Sequence, residues 1–140
     1  MRNRIYNSIL AISLYLLITG FGEPKNSTLE VNVTKNKEET LTLLFKVAPK
    51  ENMSITVDAP WELTMTDTEG LSLKTDKNIF TTKAFDPKIP GFRVESGKIN
   101  TSKASGVVSY KLKSFICTKD KSQCFQEIHK GNINWNSRDR

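Results

Sequence analysis

From residue 29 onward the apolar side chains recur at every second position. Leu29, Val31 and Val33 alternate with Glu30 and Asn32, the period of a strand with one buried face. The stretch from Thr40 to Val47 is denser in apolar and β-forming residues and predicts a more central strand. A strand over Ser54 to Val57 runs into Asp58-Ala59-Pro60, where the proline lacks the amide proton that a ladder needs. Trp61, Leu63 and Met65 restore the alternation, Asp67-Thr68-Glu69-Gly70 has turn composition, and Leu71 with Leu73 predicts a short return strand. Residues 79–85 predict one further strand. Asp86-Pro87-Lys88-Ile89-Pro90-Gly91 must then be a loop, because two prolines fix its backbone.

Phe92 and Val94 open the next strand, which closes at Ser96-Gly97, and Lys98 to Ser105 is polar enough for a loop or an edge. Gly106 introduces the clearest strand. Val108, Tyr110, Leu112 and Ile116 share one of its faces, and Val107, Phe115 and Cys117 share the other. A final extended segment from Phe125 to Trp135 carries Ile128, Ile133 and Trp135, and Asn136 to Arg140 reads as a frayed tail. Past residue 22 no window has apolar residues at helical spacing. Seven to nine short strands separated by turns predict an all-β chain folded as an immunoglobulin-like antiparallel β-sandwich, with a small closed barrel as the competing architecture.

The amino-terminal segment breaks this pattern. Met1-Arg2-Asn3-Arg4 carries two positive charges, Ile9 to Ile18 is apolar apart from Ser13, and Gly20 and Gly22 supply small residues where a signal peptidase needs them. Residues 1–22 are therefore expected to be a secretory signal peptide cleaved after Gly22, an uncleaved anchor being the alternative; the apolar run is short for a membrane span. Residues 23–140 then form a single domain with no stable membrane span, periplasmic or otherwise secreted. Loss of Arg2 and Arg4 leaves 19 basic against 15 acidic residues, so the formal charge falls from +6 to +4. Lysines and acids are interleaved, and no basic run alternates with aromatics, so nucleic acid is not an expected partner.

Export gives the two cysteines their importance. Cys117 ends the long strand, Cys124 begins the next, and six mostly polar residues join them, so the sulfurs are expected to face each other across the mouth of a hairpin. Two roles are open to a disulfide there. As a staple it would close about eight residues, worth roughly 2.5 kcal/mol on loop-closure entropy, although a hairpin already holds those residues close. As a redox centre it would draw on Lys119 and Lys121, which favour a nearby thiolate, and on the access that a loop tip gives to a partner's thiol. Phe115 and Phe125 flank the pair and are candidates to shield it or to form a docking surface.

The segment Val107-Val108-Ser109-Tyr110-Lys111-Leu112-Lys113-Ser114-Phe115-Ile116-Cys117, a short polar loop, Cys124 with aromatic Phe125, and the extended final strand resemble the amino-terminal domain of the thiol:disulfide interchange protein DsbD family and its stand-alone relatives. The resemblance spans about Gly106 to Trp135. It implies an immunoglobulin-like periplasmic domain in which Cys117 and Cys124 shuttle between dithiol and disulfide. Such a domain takes electrons from a membrane thiol reductase and passes them to oxidised periplasmic proteins, as a component of a protein-disulfide reductase with no cofactor of its own. Ser114-Phe115-Ile116 and Gln126-Glu127 depart from the family, which commonly shows Tyr-Gln-Gly before the first cysteine and two prolines after the second. A different class of function keeps the fold and makes the disulfide permanent: a non-catalytic envelope or binding module, with the rigid Asp86 to Gly91 loop as its recognition element.

Other residues add less. His129 is the single histidine and reads as an exposed strand residue, and the serines and threonines have no acid–histidine set around them, which gives hydrolase chemistry no support. Cys117, Cys124 and His129 supply three metal-ligating side chains without a fourth, so no metal is expected. Trp61 is expected to anchor the core and Trp135 to cover a sheet end.

Overall fold

The computed structural model describes residues 25–66, 71, 73–74, 78–97, 99 and 105–136. The expected signal peptide, the Asp67–Gly70 turn, most of the 98–105 segment and the tail beyond Asn136 lie outside the described residues. Among the described residues nine strands follow in chain order: β1 (Ser27–Lys35), β2 (Leu41–Pro49), β3 (Met53–Ile55), β4 (Glu62–Thr66), β5 (Ile79–Thr81), β6 (Phe85–Asp86), β7 (Gly91–Glu95), β8 (Ser105–Thr118) and β9 (Cys124–Asn136). They form two antiparallel sheets. The four-stranded sheet has the order β1-β2-β7-β6, and the five-stranded sheet is built on β8. One edge of β8 pairs with β9 along its whole length, and the other pairs with β3 near Cys117 and with β4 further back; β5 then flanks β4.

The alternation in the sequence becomes the alternation of burial. Leu41, Leu43, Phe45 and Val47 of β2 face Leu63 and Met65 of β4 and Val108, Leu112 and Ile116 of β8, with Phe92 and Val94 of β7 completing the layer. Phe45 meets Tyr110 edge-on at 5.3 Å, which sets β2 over β8. Trp61 is the anchor expected of it: it lies against Phe85 and Phe92 at 4.8 and 6.4 Å, and its indole N–H donates to the Thr56 carbonyl at 2.6 Å. Trp135 is 2 % exposed and lies across Gly106, its cross-strand partner, at the end of the hairpin remote from the cysteines. Close approach of β2 and β7 requires Gly91, because a Cβ there would run into the Phe45 carbonyl oxygen.

One expected strand is corrected. Residues 79–85 do not make one strand: β5 belongs to the five-stranded sheet, a 3-10 turn covers Thr82–Ala84, and β6 belongs to the other sheet. The chain crosses between layers there, and the Thr82 hydroxyl accepts the Trp61 amide at 2.8 Å as it does so. Leu73 forms an isolated bridge to Ser96 and Leu71 is buried in the core, while residue 72 of the expected return strand lies outside the described residues. The break at Asp58-Ala59-Pro60 is where β3 ends and β4 begins along the same edge of β8.

Candidate functional site

Cys117 and Cys124 are direct cross-strand neighbours at the end of the β8–β9 ladder, and their sulfurs are joined in a disulfide with Cα atoms 4.0 Å apart. The turn between them is closed by the Thr118 amide donating to the Gln123 carbonyl and the Lys121 amide donating to the Thr118 carbonyl, both at 2.8 Å. Lys121 takes a φ of 59°, a conformation that costs an ordinary side chain about 1 kcal/mol. Asp120 holds the turn together. Its carboxylate accepts from the Thr118 hydroxyl at 2.6 Å, the Ser122 amide at 3.1 Å and the Ser122 hydroxyl at 2.8 Å. These donors, the Thr118 hydroxyl foremost, hold its pKa down at about 2 although the side chain is fully exposed.

The two sulfurs have different surroundings. Cys117 is 1 % exposed because β3 runs beside it: Ser54 stands opposite Cys117, and the Lys119 amide donates to the Asn52 carbonyl at 3.3 Å just before that strand. Cys124 starts β9, the outer strand of the sheet, and is exposed. Access to the bond is therefore from the Cys124 side.

Register sorts the other candidate residues, since alternate residues of a strand point to opposite faces. Phe115, two residues before Cys117, shares the outward face of the sheet with the disulfide and is half-buried. Phe125 stands opposite Ile116, so it belongs to the inward face, where it lies 40 % exposed. Lys119 and Lys121 are exposed on the turn. The structure brings Phe115 and the disulfide together on one face and puts Phe125 on the other.

A second polar group lies behind the hairpin, and the sequence reading did not single it out. His129 is 6 % exposed, not the exposed strand residue expected, because β9 turns Glu127, His129, Ile133 and Trp135 inward together. Ser27 of β1 reaches across the seam between the sheets: its Oγ lies 2.5 Å from Glu127 Oε1 and 3.1 Å from His129 Nε2. The amides of Lys25 and Asn26 donate to Glu127 Oε2 at 2.7 and 2.9 Å. Serine, histidine and a carboxylate thus meet in space although they are not grouped in sequence.

The direction of the hydrogen bonds decides what this group can do. A serine hydroxyl has one proton to give, and the shorter bond gives it to Glu127. His129 Nε2 must then donate to Ser27 Oγ, so it cannot act as a base toward that oxygen. A hydrolytic triad needs the opposite polarity, with the carboxylate on the second ring nitrogen and the serine open to substrate. Ser27 is 2 % exposed. Burial lowers the His129 pKa below the ordinary histidine value, against the opposing pull of the Glu127 charge. The group is a clamp joining the outer strands of the two sheets, and its inward position keeps His129 from converging with the outward disulfide on a metal.

Comparison with protein-family models, with curated proteins and with solved structures gave no match to this chain.

Proposed function

We propose that this chain is an exported thiol:disulfide exchange domain, an immunoglobulin-like relative of the DsbD amino-terminal domain in which the Cys117–Cys124 bond opens and closes reversibly. One observation carries the reading: the asymmetry of the pair, with Cys124 exposed and Cys117 buried in a ladder that already holds both residues in place. A bond so placed adds little to the fold and remains open to a partner on one side.

The exchange follows from that asymmetry. A thiolate of a reduced partner, a membrane thiol reductase, attacks the Cys124 sulfur; the Cys117–Cys124 bond breaks, and Cys117 leaves as a thiolate that takes up a proton. The partner's second thiol loses its proton and attacks the partner's own sulfur in the mixed disulfide, which releases Cys124 as a thiolate. Two electrons have moved: the partner is now a disulfide and the domain a dithiol. Toward an oxidised periplasmic protein the roles reverse, with the exposed Cys124 thiolate attacking and Cys117 resolving the mixed disulfide. Lys119 and Lys121 on the connecting turn favour the thiolate form electrostatically.

Titration of the purified protein against a glutathione or dithiothreitol series tests this reading. A potential in the range of periplasmic carriers, with both redox forms folded, is the expected result. A value well below about −300 mV together with loss of the fold on reduction overturns exchange in favour of a permanent structural bond. Cys117→Ala, which retains the exposed thiol, is expected to accumulate mixed disulfides, and Cys124→Ala is expected to accumulate far fewer.

A further inference from the structure

The outward faces of the two sheets arrange their charges differently. On the four-stranded sheet Glu30 stands opposite Lys46, Arg93 and Glu95 lie two residues apart along β7, and Glu95 pairs with Lys74 at 3.2 Å. Opposite signs meet, as suits cross-strand neighbours on a solvated face. On the five-stranded sheet Lys111 stands directly opposite Lys130, both exposed, and Lys113 is the next outward residue along β8. Lys119 and Lys121 lie beyond the disulfide, on the turn. None of these five lysines makes an ion pair among the described residues. Among the described residues, the acids near these lysines include Glu62, opposite Lys113, Glu51, next to the Asn52 that accepts the Lys119 amide, and Asp120, whose carboxylate is taken up by Thr118 and Ser122. Like charges placed directly opposite one another oppose strand pairing, so the Lys111–Lys130 row weakens the sheet that carries it.

The outward rows of the hairpin run from the disulfide to Phe115 with Gln126, then Lys113 with Ile128, then Lys111 with Lys130. Phe115, which also packs against the core cluster, and Ile128 are half-buried and stand on adjacent rows of this face. At about 3.4 Å per residue the Lys111–Lys130 row lies about 20 Å from the disulfide, within the footprint of one protein interface. We propose that this outward face is the docking surface for an acidic protein partner, and that this partner is the one that exchanges with Cys117–Cys124, which rests on the exchange reading above. Carboxylates of the partner meet the lysines on both sides of the bond, its apolar rim covers Phe115 and Ile128, and its cysteine reaches Cys124. An anionic lipid surface would also suit the lysines, but it offers no thiol to the exposed sulfur.

Two synthetic peptide thiols test the surface, one rich in glutamate around its cysteine and one with glutamines in the same places. At low ionic strength the glutamate peptide is expected to open the disulfide about tenfold faster, a ratio that collapses toward one in high salt. The Lys111→Glu, Lys130→Glu double variant, verified as folded by circular dichroism, is expected to lose the preference. Equal rates for the two peptides on the unaltered protein overturn the proposal, as does a preference that survives in the double variant. Lysine-dependent binding to phosphatidylglycerol vesicles with no peptide preference overturns it in favour of a membrane. Binding of a cysteine-free glutamate peptide, read by fluorescence anisotropy, separates this inference from the exchange reading. If binding is present and lost in the double variant while no thiol opens the bond, the surface stands and exchange falls. If dithiothreitol opens the bond reversibly but neither glutamate peptide is favoured, the surface alone falls.

Discussion

Two cross-links reach β9 within four residues of each other, and they do opposite kinds of work. The disulfide at Cys124 is covalent, but it joins residues seven apart in sequence that the β8–β9 ladder already sets opposite each other. The Glu127 carboxylate forms only hydrogen bonds, yet it gathers the Lys25 and Asn26 amides and the Ser27 hydroxyl from 100 to 102 residues away and closes the seam between the sheets. Loop-closure entropy grows with the length of chain enclosed, so a link restrains the chain according to what it joins as much as by its own strength. By that measure the carboxylate restrains the fold more than the disulfide does.

The largest expected effect is therefore at Glu127. Glu127→Ala leaves the buried Ser27 hydroxyl without its acceptor and releases both amides, a loss of about 3 kcal/mol in unfolding free energy by urea denaturation. Glu127→Gln keeps one carbonyl oxygen and is expected to lose less. A loss under about 0.5 kcal/mol for the alanine variant, the size of an ordinary surface substitution, would remove the carboxylate from its place in the comparison.

Opening the disulfide is expected to do less. The loop-closure value of roughly 2.5 kcal/mol is an upper bound, because the ladder and the turn hydrogen bonds around Asp120 persist without the bond. The reduced protein and the Cys117→Ala, Cys124→Ala double variant should unfold at lower urea than the oxidised form but stay folded in water. If reduction costs more than Glu127→Ala, the ranking reverses and the bond is the structural one.

This contrast was half legible in the sequence. The alternation of Leu41, Leu43, Phe45 and Val47, and of Trp61, Leu63 and Met65, is strong enough to specify a two-sheet β-fold, because a shift of one residue would turn each set outward. The cysteine pair announced itself by position at a strand end and a strand start. What stayed hidden required register across long distances. Ile133 and Trp135 fix which residues of β9 point inward, and counting back by twos carries Glu127 and His129 inside and Ile128 outside. That count was available, but it set two polar side chains in a core, which hydrophobic patterning reads as an error. Only the arrival of Ser27 and the Lys25 and Asn26 amides makes the burial acceptable, and no local signal in β1 shows that it will reach β9. The split of residues 79–85 was hidden too, since the 3-10 turn at Thr82–Ala84 is a single turn without a glycine or proline to mark it.

The smallest expected effect is a pH dependence carried by the same clamp. Buried His129 has its pKa lowered from the ordinary histidine value of 6.5, with the Glu127 charge opposing the shift. A group whose folded pKa lies below its unfolded one binds its proton first in the unfolded chain. Its contribution to stability is thus complete above about pH 6.5 and declines as pH falls toward the folded value. Protonation at Nδ1 would also put a charge beside the Leu112 side chain opposite it. Between pH 7 and pH 5.5, where few carboxylates titrate, the urea midpoint should fall with acidification, and His129→Gln should flatten that slope while keeping a donor for Ser27. An NMR titration midpoint for His129 above 6.5, or an equal slope in the variant, would mean that the Glu127 charge outweighs burial. The clamp would then tighten on acidification, and the open seam of the sandwich would be most secure where this comparison has it weakest.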